Sequence, residues 1–273
     1  MKISTNESIS AIYYALWQGG YEYAALERDE EHMAALAAFK GDTIHPFFAM
    51  TRRNTCEVYA FWPRAALLET AVFHMAQEKF RDAEELRRKI MGMPNITDEE
   101  RGEDLLVWLA DFPAALADVL SSFGFRRYRA WVEKWVQAQN VHHANELAQI
   151  ERCLTVCRER YASPLNMVQL LIDPIKCVYS ADYHVNGSTF VFSSGRFCAE
   201  SVIHEYLHHV VHPVVVRYAD RIPLREYPGL DASYHAAGPL YAFEEHAVRL
   251  LTKLAIEGKL PPDLDAYVQK LLP

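Results

Sequence analysis

The chain has 273 residues, which suits one large domain or two small ones, and 51% of them are hydrophobic against 23% charged. This balance is typical of a folded globular protein and excludes wholesale disorder. With 28 basic and 36 acidic residues the net charge is −8. A chain of this sign gains nothing from counterion release, so we do not expect nucleic acid as a partner.

Neither export nor a passage through a membrane is expected from the sequence. The N-terminus reads MKISTNESIS and lacks the apolar stretch of a secretory signal. No uninterrupted run of roughly 18 apolar residues occurs, so a transmembrane helix is not predicted. The five cysteines are odd in number and irregularly spaced, which argues against a disulfide framework. We therefore expect a cytoplasmic protein with free thiols.

The first 160 residues carry the apolar periodicity of helices. A helix capped by Asn6 or Ser8 is predicted to run through Trp17 and to end at Gly19-Gly20. Further helical segments are predicted over 28–39, 63–90, 97–120 and 128–161. Within the third of these, Pro113 predicts a break or a kink. Residues 1–160 are thus interpreted as a helical N-terminal subdomain.

After residue 160 the pattern changes to short strands followed by helices. Strands are predicted over 166–172, 176–185 and 188–192, and Asn186-Gly187 predicts a tight antiparallel hairpin between the last two. Helices are predicted over 196–212, where Pro213 ends the first, and over 239–257 and 263–272. The sequence therefore predicts an α+β fold, predominantly helical with a small antiparallel sheet. Residues 161–273 would form a second subdomain that packs with the first as one compact unit.

Histidine is concentrated in one part of the chain, because seven of the twelve lie between positions 184 and 246. The strongest motif there is His204-Glu205-Tyr206-Leu207-His208. On a helix, residues four apart share one face, so the two imidazoles can bind a single Zn²⁺. Glu205 lies between them and can act as a general base on a water molecule at the metal. The alternative is an amphipathic helix that merely carries two structural histidines.

A third ligand is not supplied by a further histidine of this helix. The three-histidine class of zinc peptidases requires a glycine and a histidine at the positions that are Val211 and Val214 here, so that class is excluded. His212 would lie ~12 Å along the helix axis from His204 and is interpreted as a residue of the helix end.

The third ligand is therefore expected to be a glutamate of the helix predicted over 239–257. Two adjacent glutamates of that helix are candidates. A helical wheel places Glu244 on the apolar face and Glu245 on its flank. The wheel alone therefore favours Glu244 as the inward ligand.

Two segments together resemble the gluzincin-type zinc metallopeptidases, and more closely a group of small bacterial proteins of that type. They are 204–218, which reads HEYLHHVVHPVVVRY, and 244–249, which reads EEHAVR. The resemblance implies that residues 161–273 form a zincin-like catalytic subdomain. It also implies hydrolysis of a peptide or protein substrate with one Zn²⁺. It further implies Glu245 as the third ligand, with Glu244 as the alternative. Arg249 stands where larger gluzincins carry an aspartate.

The resemblance also implies where substrate binds. Such peptidases pair an extended substrate with a strand bordering the cleft, which points to Thr189, Phe190 and Val191 of the predicted hairpin. The oxyanion of the reaction needs a hydrogen-bond donor, for which Tyr234 and His235 are the first candidates. Tyr241 is a further candidate for the same role.

The predicted function is thus that of a zinc metallopeptidase. The alternative is a zinc-binding but catalytically silent module that acts in binding or regulation. The intact Glu205 argues against this alternative, since a pure binder does not need a general base.

Overall fold

The computed structural model describes residues 1–21, 29–43, 46–50, 68–69, 71–73, 111–179 and 181–272. The helix predicted over 63–90 lies almost entirely outside these ranges, as does the first part of the helix predicted over 97–120. The four cysteines within the described ranges are free thiols, as expected, and Cys56 lies outside them.

Helices dominate the described residues up to position 161. They are α1 (Glu7–Gln18), α2 (Glu30–Ala37), α3 (Pro46–Met50), α4 (Phe112–Ser121), α5 (Phe123–His142) and α6 (Ala144–Tyr161). The predicted start of α1 is confirmed, because the Asn6 side chain accepts a hydrogen bond of 3.1 Å from the backbone N–H of Ile9. Helix α4 begins at Phe112 and contains Pro113 in its first turn, while residues 97–110 of the helix predicted over 97–120 lie outside the described ranges, so the break near this proline stays a prediction.

A small mixed sheet follows α6 and recruits the N-terminus of the chain. Its strands are β1 (Ile3–Ser4), β2 (Met167–Ile172), β3 (Ala181–Asn186) and β4 (Thr189–Ser194), in the spatial order β1-β2-β4-β3. Strand β2 pairs in parallel with both β1 and β4, and the β3–β4 hairpin is antiparallel. The hairpin is confirmed, with Gly187 at a φ of 60° in its turn.

The prediction of a purely antiparallel sheet is wrong. The second strand of the hairpin, TFVFSS, is buried along nearly its whole length, so it takes the internal position beside β2. The first strand, ADYHVN, alternates between half-buried and exposed residues and takes the edge. Because β4 rather than β3 lies beside β2, the contact between β2 and the hairpin is a parallel pair.

The remaining helices are α7 (Ala199–Val216), α8 (Ala232–Ala236), α9 (Pro239–Ile256) and α10 (Leu264–Leu271), with a 3₁₀ turn at Ala219–Arg221. The prediction that Pro213 ends α7 is wrong, because the helix continues to Val216. Pro213 lies on the exposed face, where water can satisfy the carbonyl that it leaves unpaired, while Val211 and Val215 remain buried. In the described part of the chain, no helix combines the length and apolar character needed to cross a membrane.

Helix α7 is the central element, because it contacts the sheet, α6, α9 and α10. Its Tyr206 meets Phe190 of β4 edge to face, with ring centroids 5.2 Å apart. One continuous cluster of buried apolar side chains extends from Ile3 near the N-terminus to Leu272. Both predicted subdomains contribute to this core, and a boundary at residue 160 stays a prediction.

The opposite face of the sheet carries a buried group of charges. Lys176 is fully buried, and its Nζ lies 2.8 Å from Glu69 Oε1, 2.6 Å from Asp182 Oδ2 and 3.1 Å from Ser193 Oγ. The hydroxyl of Tyr13 also donates to Glu69 Oε1, at 2.5 Å. The strand predicted over 176–185 begins only at Ala181, so Lys176 lies in the loop before β3.

Glu69→Gln tests how much this buried charge group stabilises the fold. Removing one member of a buried ion pair is expected to lower the free energy of unfolding by about 3 kcal/mol. Although burial opposes the carboxylate, Lys176 and His184 lower the pKa of Glu69 from 4.5 to about 2. The stabilisation of the fold by the ionised Glu69 carboxylate is complete above about pH 4.5 and is lost as the pH falls towards 2. Urea unfolding at several pH values measures both effects.

Glu257→Gln is the matched control, because Glu257 pairs with Lys259 on the surface. We expect no measurable change in the unfolding midpoint for this variant. A Glu69→Gln protein as stable as wild type at pH 7, with the same acid dependence, would contradict the prediction.

Candidate metal centre

Helices α7 and α9 pack together and bring two imidazoles and one carboxylate to a common point. His204 Nε2 and His208 Nε2 lie 3.1 Å apart. Glu245 Oε2 lies 3.4 Å from His204 Nε2 and 3.2 Å from His208 Nε2. These three ligand atoms therefore form a nearly equilateral triangle, and they belong to the residues that the sequence predicted.

The triangle has the dimensions that a tetrahedral metal site requires. Ligand atoms at ~2.0–2.1 Å from a tetrahedral zinc ion lie roughly 3.3–3.4 Å from one another. The observed separations of 3.1–3.4 Å are close to this value. Imidazole nitrogen and carboxylate oxygen are also usual zinc ligands. The group His204, His208 and Glu245 could therefore hold a metal ion.

Glu244 lies behind the triangle and supports it. Its Oε1 accepts a hydrogen bond of 2.8 Å from His208 Nδ1, and its Oε2 accepts one of 2.7 Å from His212 Nδ1. This contact at Nδ1 directs Nε2 of His208 to the triangle, where it can bind a metal ion once it has lost its proton. The geometry therefore favours Glu245 over Glu244 as the third ligand.

His212 has a different position from the one predicted. It is not a helix-end residue, because α7 continues beyond it and its ring binds Glu244. The repeated spacing of four residues from His204 to His208 to His212 is the signal for this contact, because it keeps all three rings on the side that faces α9.

Arg249 fixes the orientation of the third ligand. Its Nε donates a hydrogen bond of 2.6 Å to Glu245 Oε1, which leaves Oε2 for the histidines. A second donor of the same guanidinium, Nη1, lies 2.6 Å from the carbonyl oxygen of Gly229. The spacing of four residues between Glu245 and Arg249 is a sequence signal for the first contact. Nothing in the sequence pattern indicates the second.

The charges of the cluster favour a bound cation. Burial opposes ionisation of Glu245, yet hydrogen bonds from His204, His208 and Arg249 hold its pKa well below the usual range. Burial also opposes the cationic form of His208, but hydrogen bonds to Glu244 and Glu245 raise its pKa to about 10. Two adjacent ionised carboxylates thus draw positive charge to this point, which a metal ion can supply.

Glu205 follows His204 in the same turn of α7 and is half-buried. Burial raises the pKa of its carboxyl to about 7, against the opposing influence of His208 and His204. The predicted general base thus lies beside His204 and His208.

Tyrosines from three elements surround the cluster. Tyr234 of α8 stacks on Tyr241 of α9 with ring centroids 5.8 Å apart, and its ring lies 5.1 Å from the Arg249 guanidinium carbon. Burial and the negative charge of Glu245 raise the pKa of Tyr234. Tyr183 of β3 was missed by the sequence reasoning. Burial and the charges of Glu205 and Glu244 raise its pKa to about 12.

The role of His235 as an oxyanion donor stays a prediction, and two backbone groups hold its ring in place. Its Nε2 accepts a hydrogen bond of 2.9 Å from the backbone N–H of Tyr227, and its Nδ1 lies 3.2 Å from the carbonyl oxygen of Asp231. Both ring nitrogens are therefore used within the loop before α9, and the side chain fastens that loop.

The prediction that Thr189, Phe190 and Val191 pair with a substrate strand is wrong. These residues belong to β4, which has β2 on one side and β3 on the other, so neither of its edges can accept another strand. Phe190 and Val191 are buried as well. The sequence predicted the hairpin but not which of its strands lies at the edge.

No protein-family model, curated protein or solved structure matches this chain significantly. The similarity of residues 204–218 and 244–249 to the gluzincin pattern stays a prediction. The distances between the side chains of α7 and α9 are independent of that similarity.

Replacing each of the two adjacent glutamates distinguishes a ligand from a supporting residue. Glu245→Ala removes a predicted ligand and should abolish stoichiometric zinc binding. Glu244→Ala should retain binding but weaken it by about 10- to 100-fold, because His208 loses the acceptor that orients it. Competition with a chromophoric chelator at fixed pH measures both affinities.

Glu257→Ala, just beyond the end of the same helix, is the control and should bind zinc like wild type. If Glu244→Ala lost zinc completely while Glu245→Ala kept it, the roles of the two carboxylates would be reversed.

Proposed function

We propose that the protein is a zinc-dependent peptidase in which His204, His208 and Glu245 hold one Zn²⁺. The observation that carries the proposal is the convergence of His204 Nε2, His208 Nε2 and Glu245 Oε2 within 3.4 Å of one another. The position of Glu205 in the same helical turn supports a hydrolytic reaction rather than metal storage.

When bound at these three residues, zinc would supply Lewis-acid chemistry and would make a water molecule more acidic. Glu205 takes the proton of the attacking water and later delivers it to the leaving amine. Glu205 lies three residues before His208, so the two side chains are neighbours on the surface of α7.

Further residues hold the reacting groups in place. Glu244 fixes the tautomer of His208, and Arg249 fixes the carboxylate of Glu245. The phenol of Tyr234 is protonated at neutral pH and lies beside Arg249. We assign to it the donation of a hydrogen bond to the oxyanion that forms at the scissile carbonyl.

The edge strand β3 is the proposed docking place for an extended peptide. It is the outer strand on this side of the described sheet, and Tyr183 and Val185 are 38% and 44% exposed. An added strand would gain backbone hydrogen bonds along β3. The alternating residues Asp182 and His184 are directed to the buried charge group on the other face. This assignment replaces the β4 residues that the sequence suggested.

Glu205→Gln is the decisive test of the reaction. The variant should bind zinc as wild type does, because neither imidazole is changed. Its turnover of a peptide library should fall by about 100-fold or more, since an amide cannot accept the proton. Mass spectrometry of the peptide products measures the cleavage rate.

Glu200→Gln, an exposed glutamate in the first turn of the same helix, is the matched control and should cleave like wild type. Equal activity of Glu205→Gln and wild type would refute the assigned base. A wild-type protein that binds zinc and cleaves no peptide would support the silent binding module instead.

A further inference from the structure

The segment 222–238, which connects the 3₁₀ turn to α9, lies along α9 beside the candidate metal ligands. Tyr227 is buried there, and its ring lies 6.0 Å from that of Phe243 and 4.9 Å from that of His246. Further along the segment, Tyr234 stacks on Tyr241. The 222–238 segment is thus attached to α9 at two places by aromatic contacts.

One side chain joins this segment to the third metal ligand. Arg249 donates through Nε to Glu245 Oε1 and through Nη1 to the carbonyl oxygen of Gly229, at 2.6 Å in each case. The carbon of the same guanidinium lies over the ring of Tyr234, 5.1 Å from its centroid. A single planar group therefore contacts Glu245 and two separate points of the 222–238 segment.

The guanidinium is rigid and planar, so its donors keep fixed directions relative to one another. If the Glu245 carboxylate rotates, Arg249 cannot follow it and still keep both the hydrogen bond to Gly229 and the contact with Tyr234. A cation that binds Oε2 of Glu245 restricts this rotation. The orientation of the carboxylate and the order of the segment therefore depend on each other.

We propose that Arg249 is a positioning residue that couples metal binding at His204, His208 and Glu245 to the order of the 222–238 segment. This inference rests on the proposed function, because Tyr234 within the segment is the assigned oxyanion donor. Metal binding then orders the part of the site that meets the substrate. Coupling of this kind is reciprocal. If the metal favours the ordered segment by some factor, the ordered segment binds the metal more tightly than the disordered segment by the same factor.

Amide hydrogen exchange with and without zinc chloride tests the first half of the coupling. In the wild-type protein, zinc should slow the exchange of amides within 222–238. Arg249→Met keeps an apolar stem but removes every donor, so it should bind zinc more weakly. At zinc concentrations that saturate this variant, exchange in the segment should remain as fast as in its metal-free form. A merely structural role of Arg249 would not change the response to zinc.

Gly229→Ala tests the reciprocal half without touching a metal ligand. Gly229 has a φ of 80° with open space where a Cβ would lie, so alanine strains the backbone beside the carbonyl that Arg249 binds. We expect a roughly fivefold loss of zinc affinity. Gly258→Ala is the matched control, because Gly258 has a φ of 70°, equally open surroundings and a place beyond the end of α9. Its zinc affinity should equal that of wild type.

The outcomes separate this inference from the proposed function. Zinc that slows exchange equally in Arg249→Met and wild type overturns the coupling, as does unchanged zinc affinity in Gly229→Ala. Zinc binding to wild type without any effect on the segment also overturns the coupling but leaves the peptidase proposal standing. A wild-type protein that binds no zinc overturns both. Slowed exchange together with peptide cleavage that survives in Glu205→Gln supports the coupling and refutes the assigned base.

Discussion

The burial of two adjacent carboxylates against a histidine-bearing helix is the interaction on which the site depends. Glu244 and Glu245 are 8% and 4% exposed, and such charges are tolerated only with close partners. Each carboxylate has its own set: Glu244 binds two imidazole Nδ1 atoms, whereas Glu245 binds one arginine and faces two Nε2 atoms. Glu244 therefore holds two histidines in place, whereas Glu245 faces the point at which the candidate ligand atoms meet.

The sequence could predict the parts of the site that depend on local geometry. The spacing of four residues places His204 and His208 on one face of any helix, and Asn186-Gly187 selects a hairpin turn. The choice between Glu244 and Glu245 depends on how α7 and α9 cross, which a helical wheel does not contain. The order of strands also depends on distant partners, because β4 becomes internal only when β2 lies beside it. The continuation of α7 past Pro213 likewise depends on tertiary contacts, because valines on both sides of the proline are buried.

The sheet separates two kinds of chemistry that meet at β3. One face carries Phe190 and contacts α7, whereas the other carries the buried Lys176 with its carboxylate partners. Asp182 belongs to the charged face, and the next residue, Tyr183, belongs to the face near Glu205 and Glu244. The period of two in a strand therefore lets one short element serve the stability of the fold and the proposed docking of substrate.

The parallel pairing of β1 with β2 has a consequence for the order of events during synthesis. Ile3 is paired with Leu170, so β1 lacks this partner strand until the chain has been synthesised as far as Leu170. Contacts between such distant positions are slow to form, because a long loop must close first. The sheet beneath α7 is therefore completed late, after the N-terminal helices have been synthesised. The three candidate metal ligands come together later still, since Glu245 follows 75 residues after Leu170.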